Sequence, residues 1–230
     1  MLYVFFMTKL PQEVATIDLF CDNCGGQNKN WTMFRFLYTL VHILERFELL
    51  TIHFPIRGHS YLECDKDMGV VNQKAECQVP SDWYQQFRIA RKNPAPYNVI
   101  EMKQDQFLAI GDGLKPIFKL TSPIPTRNIR ELRLERGFSG SLMHRDNWNG
   151  RYDVTEVLRK RRGKQPKPSR EDVVFKKSYK HRVAVSKPKF MDIQHLKKFC
   201  SAENQEFFAA IPVNDKLTDM HEPVHDEMNE

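Results

Sequence analysis

The first 95 residues alternate between short apolar runs and longer segments with helical spacing. Residues 14–21 (VATIDLFC) are rich in β-branched side chains and interrupted only by Asp18, which predicts a buried strand. Apolar residues across 31–50 recur at helical spacing over most of the circumference, which predicts a largely buried helix. Residues 51–56 (TIHFPI) predict a second short strand. The strand–helix–strand order predicts an α/β fold, with a mixed sheet flanked by helices.

Two further helices are predicted before a turn at residues 93–96 (NPAP). The first covers residues 65–77, with Asp65 and Asp67 in its first turn, where carboxylates interact favourably with the helix dipole. The second covers residues 81–92 and ends at the prolines. Beyond this turn the pattern weakens and predicts strands over 97–102 and 128–134, a strand pair within 173–185, and short helices over 190–199 and 203–210.

Composition narrows the class of protein. The chain has 230 residues, 41% of them apolar, with 35 Lys/Arg against 29 Asp/Glu, which excludes collagen, a wholly disordered chain and a disulfide-framed miniprotein. Five cysteines, an odd count, fit a reducing compartment. No run of about 20 apolar residues occurs, so neither a membrane span nor a membrane partner is expected. The apolar start lacks a basic flank, so no signal peptide is predicted.

The charge is unevenly spread along the chain. Residues 151–189 hold fourteen Lys/Arg against four acids, whereas residues 213–230 hold six acids against one Lys. A basic block before an acidic tail is typical of a nucleic-acid-binding or nuclear protein, and the alternative is a solvated loop with a solubilising tail. The Pro- and Gly-containing run at 159–168 predicts a flexible linker and a nuclear-localisation signal. Its predicted DNA or RNA contacts are Arg159, Lys160, Arg161, Arg162, Lys164 and Lys167.

Aromatic residues alternate with this basic block. Bases of an unpaired strand could stack on these aromatic rings while Lys and Arg neutralise the phosphates. The alternative is that the aromatic residues belong to the core of a small sheet, and we favour this alternative for Phe175. The aromatic residues concerned are Trp148, Tyr152, Phe175 and Tyr179.

Carboxylates near two predicted strands are candidates for a metal site. Asp22 follows the first strand, at the end where open α/β sheets place their sites, and Asp65 and Asp67 follow the second. If the strands are neighbours, these acids converge, and paired Mg²⁺ or Mn²⁺ ions would neutralise them and activate a water for phosphodiester chemistry. The alternative is that Asp22 caps a turn and the other two cap a helix.

A zinc site is a further alternative. Cys21, Cys24, His59 and Cys64 have ligand chemistry suited to zinc, although Cys21 should point into the sheet and no second close cysteine pair follows.

The string DNCGGQNKN at residues 22–30 carries a family resemblance. It is followed along the chain by an apolar helix, by GHSYL at 58–62 and by DKDMG at 65–69. Together they resemble a transposon-derived domain family of unknown function with a ribonuclease H-like fold, over roughly residues 14–210. Such domains are similar to cut-and-paste transposases, whose acids bind two Mg²⁺ ions. The resemblance implies that Asp22 is the second catalytic acid and Asp65 or Asp67 the third. It further implies that His59 and Gln27 assist at the metal or the scissile phosphate. Gln27 and Lys29 of the string are also predicted DNA or RNA contacts.

The ribonuclease H-like fold carries its first acid two strands before the strand that ends at Asp22. Only Glu13 and Asp18 precede Asp22, and both lie in or next to that same strand. We therefore expect a nucleic-acid-binding protein without a complete catalytic site. One alternative is an Mg- or Mn-dependent nuclease or strand-transferase completed by an upstream segment or a partner, and another is a protein-interaction module or a non-functional relic.

The resemblance and the charge pattern together predict five regions. They are a truncated ribonuclease H-like core at 1–95, an α+β extension at 96–150, a basic linker and strand region at 151–189, short helices at 190–212 and an acidic disordered tail at 213–230.

Overall fold

The chain divides into two compact units in a computed structural model. Unit 1 comprises Met1–Lys66 and Asp105–Ser178, and unit 2 comprises Asp67–Gln104 and Tyr179–Glu230. The structure describes residues 1–56, 62–73, 75–138, 140–160 and 167–217. No helix within these ranges is long and apolar enough to cross a membrane.

Unit 1 is built on a five-stranded mixed sheet, which confirms the predicted α/β fold. The strands lie side by side in chain order, with β1 and β2 parallel and every later neighbour antiparallel. Helix α2 (Trp31–His42) connects the parallel pair and contacts β2 and β3, while the short helices α1 (Leu2–Val4) and α5 (Ile110–Leu114) belong to the same unit. The strands are β1 (Thr16–Phe20), β2 (Leu49–His53), β3 (Glu131–Glu135), β4 (Ser141–Arg145) and β5 (Asp153–Glu156).

The core of unit 1 lies between α2 and one face of this sheet. The helix begins at Trp31 because the side chain of Asn30 accepts a hydrogen bond from Met33 N at 2.9 Å, which caps the first turn. Apolar side chains of β2, β3 and β4 fill the opposing layer. The fully buried members include Phe34, Leu37, Leu40, Val41, Leu50, Ile52, Leu132, Leu134 and Leu142.

The predicted helix over 31–50 is correct at its start and too long at its end. The helix stops at His42, and Glu45 adopts a left-handed backbone with φ 52°, which reverses the chain direction. Leu49 and Leu50 then belong to β2. A short apolar run fits a buried helix and a buried strand equally well, so the pattern alone misassigned these residues.

Other predictions for this unit are confirmed in part. Both early strands exist, at Thr16–Phe20 and Leu49–His53, and the strand predicted at 128–134 is β3. The predicted strand at 97–102, which lies in unit 2, is wrong because these residues form neither a strand nor a bridge. The predicted strand pair within 173–185 is wrong because these residues carry only single bridges, Lys177 with Leu108 and Val185 with Val213. Sequence reasoning missed β4 and β5, whose runs of four or five residues are too short to stand out beside their turns.

Unit 2 is helical within its described residues. Helix α4 (Pro80–Ala90) lies close to its predicted position, and so do α6 (Lys187–Leu196) and α7 (Ala202–Ala209). Helix α3 (Glu63–Asn72), which crosses the boundary between the units, is shorter than the predicted 65–77. Gln78 joins the two chain segments of this unit, because its Oε1 accepts from Ser201 N at 2.9 Å.

A buried arginine attaches the N-terminal segment to unit 1. The Arg46 guanidinium donates to the carbonyl oxygens of Phe6 at 2.9 Å, Val14 at 2.9 Å and Pro11 at 2.7 Å. No carboxylate pairs with it among the described residues. Arg46 therefore holds the segment before β1 through backbone hydrogen bonds, which satisfies carbonyls that would otherwise lack a donor.

Candidate nucleic-acid interface at the carboxyl end of the parallel strands

The DNCGGQNKN string forms a compact turn between β1 and α2 that its own side chains hold together. Asp22 Oδ1 accepts from the Cys24 amide and from Asn28 Nδ2, both at 3.3 Å. Asn30 Nδ2 donates to the carbonyl oxygens of Gly25 and Gln27, both at 3.0 Å. The polar residues of the string thus have local structural partners, and the turn brings the start of α2 to the carboxyl end of the parallel strands.

Lys29 lies inside this turn and is 5% exposed. Its Nζ donates to Asn23 Oδ1 at 2.7 Å and lies 5.0 Å from the centre of the Phe54 ring. Asn23 also donates to the carbonyl of Pro55, which ties the turn to the end of β2. The Lys29 ammonium is therefore held rigidly beside the sheet.

Arg130 is the second cation at this end of the sheet. Its carbonyl accepts from Phe54 N at 2.8 Å, and its amide donates to Arg145 O at 2.8 Å, which places it at the start of β3. Burial, and then repulsion from Arg130, lower the pKa of Lys29 to about 8. Among the described residues no carboxylate pairs with either cation. We call Lys29 and Arg130 the cationic pair.

Each predicted catalytic acid has a structural contact. Asp22 holds the turn, and Asp65 Oδ2 accepts from Leu62 N at 3.0 Å at the start of α3. Asp67, in unit 2, accepts from Tyr97 Oη at 2.7 Å and from Arg91 at 3.4 Å. No group of three His, Cys, Asp or Glu suited to a metal occurs in the described part of the chain. The metal site stays a prediction, and His59 lies outside the described residues.

The cysteines near this turn are free thiols. Burial, followed by the nearby Asp22 and Cys64, raises the pKa of Cys21 to about 11. Cys24 and Cys64 are exposed.

The sheet face opposite α2 carries a polar network that sequence reasoning missed. Glu131 is its centre, with a side chain 5% exposed, and it lies directly across from His53 on β2 and Arg145 on β4. Its Oε2 is 3.2 Å from His53 Nδ1 and 2.8 Å from Arg145, and its Oε1 accepts from Tyr152 Oη. His53 precedes Glu131 by a long stretch of chain, and Arg145 and Tyr152 follow it by 14 and 21 residues, so no local signal marked the network.

The aromatic residues predicted to stack on bases have other contacts. Tyr152 donates to Glu131, and the guanidinium carbon of Arg145 lies 4.7 Å from the centre of the Tyr152 ring. Trp148 stacks on His53, with 5.8 Å between the two ring centres. Phe175 packs on Tyr3 at 5.1 Å against the core, so the core interpretation that we favoured for it is confirmed. Tyr179 is exposed.

Positive charge is concentrated in unit 1. This unit holds 23 Lys/Arg against 16 Asp/Glu, whereas unit 2 holds 12 against 13. Of the predicted basic contacts, Arg159, Lys160 and Lys167 are exposed residues of unit 1, and Arg161, Arg162 and Lys164 lie outside the described residues. Gln27 is exposed in the turn, where its backbone N–H donates to Cys24 O at 3.2 Å.

Comparison with known proteins gives a match to a family model. The family model described as a domain of unknown function, DUF7869, matches residues 2–94, a stretch that contains β1, the turn, α2, β2, α3 and α4 and ends before β3. No curated protein and no solved structure matches the chain. The chain is therefore similar to DUF7869 domains across its parallel strand pair and the turn that carries Lys29.

Proposed function

We propose that unit 1 binds the phosphate backbone of DNA or RNA at the carboxyl end of β1 and β2, without metal-dependent strand cleavage. The observation that carries this proposal is the cationic pair: a buried lysine and a neighbouring arginine with no carboxylate partner among the described residues. Two adjacent cations repel each other, and an anion bound between or beside them would relieve that repulsion.

The N-terminus of α2 strengthens this site for an anion. The first turn of the helix contains no acidic residue, and its leading amides carry a partial positive charge. A phosphate near Lys29 would therefore meet both the ammonium and the helix dipole. Asp22 is the one acid of the turn, and its Oδ1 already accepts two hydrogen bonds.

The charge of unit 1 favours a polyanion over a single phosphate. Its excess of seven positive charges includes the exposed Arg159 and Lys160, which begin the basic run at 159–168. Each Lys or Arg that contacts a phosphate releases a counterion, so affinity should fall steeply as salt concentration rises. The same run is our basis for proposing a nuclear location.

Descent from a transposase with a ribonuclease H-like fold is part of the proposal. It rests on the DNCGGQNKN string and on a parallel strand pair that ends beside it. The loss of cleavage rests on the contacts of Asp22, Asp65 and Asp67, each of which supports a turn, a helix start or a neighbouring side chain.

Replacing Lys29 with methionine is expected to weaken binding of a 20-nucleotide DNA about tenfold near neutral pH, equal to the roughly 1.4 kcal/mol of one charge-assisted contact. Methionine keeps the unbranched stem and loses the bond to Asn23 Oδ1, while the hydrogen bonds of Asp22 and Asn30 that hold the turn remain. The slope of log affinity against log salt should fall by about one.

Since the pKa of Lys29 is about 8, wild-type affinity should also decrease between about pH 7 and pH 9, as the ammonium loses its proton, and this decrease should vanish in the variant.

Two matched variants define this measurement by fluorescence anisotropy. Lys9→Met removes an exposed lysine of the same unit and should lose less than about twofold, while keeping the pH dependence. Lys29→Arg should retain binding at about pH 9 because arginine stays charged. Equal losses for Lys29→Met and Lys9→Met would show that the cationic pair does not contact the nucleic acid.

A calorimetric Mn²⁺ titration tests the absence of a metal site. Wild-type protein and Asp22→Ala should give the same heats, because Asp22 Oδ1 is already hydrogen bonded and no described acid completes a group of three. Asp146→Ala, which removes an exposed acid beyond β4, is the control. Binding that disappears only in Asp22→Ala would contradict the proposal and favour a nuclease or strand-transferase.

A further inference from the structure

The free edge of β1 has unused backbone hydrogen-bonding groups. β1 is the first strand of the sheet and pairs only with β2 in the described part of the chain. Two backbone hydrogen bonds, from Cys21 N to His53 O at 3.0 Å and from Leu49 N to Ala15 O at 3.3 Å, show which residues of β1 direct their backbone groups toward β2. Odd-numbered residues therefore bond to β2, and the N–H and C=O groups of Thr16, Asp18 and Phe20 point away from it.

Three of the five side chains of β1 are apolar, and all five are at least partly accessible. Phe20 is 61% exposed, and Ile17 and Leu19 are half-buried residues at the margin of the core. Edge strands usually carry prolines, bulges or several charges that prevent further pairing. The five residues of β1 contain no proline and one charge, Asp18. The edge therefore has the geometry that accepts another strand, and an added strand would cover the sides of Ile17 and Leu19.

Local charge decides which kind of strand fits. Residues 10–21, which include β1, contain the acids Glu13 and Asp18 and no Lys or Arg, in contrast to the positive charge of unit 1 as a whole. The Asp18 side chain is 56% exposed, with Oδ1 3.4 Å from His53 Nε2. A nucleic acid is repelled by this acidic stretch. A second copy of the chain would bring a second set of the same acids to the edge, which destabilises the pairing.

We propose that the free edge of β1 binds an extended basic peptide segment of a partner protein as an additional β-strand. Main-chain hydrogen bonds to Thr16, Asp18 and Phe20 supply the affinity, as in other complexes where a peptide extends a sheet. A Lys or Arg beside Asp18 supplies the charge preference. Apolar residues at alternate positions contact Ile17 and Leu19, because successive side chains of a strand point to opposite faces.

A fluorescent peptide of alternating valine and lysine, titrated into the full chain, is the probe. We expect saturable binding, at least tenfold weaker for the peptide with glutamate in place of lysine. Asp18→Lys should reverse this preference, and Asp146→Lys, an equal charge change beyond β4, should leave it unchanged. N-methylation of either the valine amides or the lysine amides should abolish binding, and methylation of the other set should not, because only alternate amides face β1.

Amide hydrogen exchange identifies where the peptide binds. The amides of Thr16, Asp18 and Phe20 should exchange more slowly in the complex, while those of Ile17 and Leu19, already bonded to β2, should change little. Absence of binding, binding without protection of these three amides, or equal tolerance of both N-methylated peptides would overturn the proposal. Dimerisation that depends on concentration and protects the same amides would also overturn the proposal if Asp18→Asn strengthens it. The occupant of the edge would then be a second copy of the chain.

Discussion

Replacing Glu131 with alanine should lower the free energy of unfolding by about 3–5 kcal/mol, the range for breaking a buried ion pair by removing one partner. The Glu131 side chain is 5% exposed and links three strands through His53, Arg145 and Tyr152. Without the carboxylate, the half-buried Arg145 guanidinium loses its counterion and the Tyr152 hydroxyl loses its acceptor. Arg145 Nε already has no hydrogen-bond partner among the described residues, so the remaining cation is poorly compensated.

Urea unfolding monitored by circular dichroism measures this loss. Glu135→Ala is the matched control from the same strand, because Glu135 is 38% exposed and pairs with Arg133 in solvent. Its effect should stay within about 0.5 kcal/mol. Glu131→Gln, which keeps the shape and an acceptor for Tyr152, should fall between the two. A loss for Glu131→Ala no larger than that for Glu135→Ala would mean that the network does not stabilise the sheet.

Replacing Arg46 with methionine should lower the free energy of unfolding by about 3 kcal/mol, because several backbone carbonyls lose their donor at once. The guanidinium contacts the carbonyls of Phe6, Leu10, Pro11 and Val14, so the expected damage is local as well as global. The segment before β1 should open more often than the rest of unit 1. Local opening of this kind is visible before the sheet unfolds.

Limited trypsin digestion at Lys9 reports the opening of that segment. Cleavage there should be much faster in Arg46→Met than in wild-type protein, under conditions where the circular dichroism spectrum is unchanged. Arg136→Met is the control, since Arg136 also donates to backbone carbonyls, those of Glu45 and Phe47, but not to the N-terminal segment. Equal resistance of Lys9 in Arg46→Met and wild type would contradict the assigned role of Arg46.

Elements with local signals could be read from the sequence. Helix α2 begins at its predicted first residue, Trp31, where Asn30 provides the cap, and α6 begins three residues before its predicted start, where the Ser186 side chain accepts from Lys189 N. Such signals join residues three positions apart, so they act before any tertiary structure forms. The end of α2 had no such signal. It depends on the reversal at Glu45 and on the parallel pairing of Leu49–His53 with β1, which is a non-local contact.

The candidate site was predicted in part for the same reason. Lys29 was named among the predicted contacts because it lies in the DNCGGQNKN string. Arg130 was not, because it reaches Lys29 only through the antiparallel pairing of β2 with β3, where His53 faces Glu131. The Glu131 network depends on the same pairing and was missed with it.

The sequence by itself determined the charge distribution, the α/β class and the turn at residues 22–30, whose internal hydrogen bonds join residues at most six positions apart. Tertiary structure alone decided which strands are neighbours, and therefore that Arg130 lies near enough to Lys29 to lower its pKa, that Glu131 is buried among partners, and that β1 keeps a free edge. The physical reason is that strand order follows from burial of Leu50, Ile52, Leu132 and Leu134 against α2, and burial depends on the whole chain rather than on any local segment.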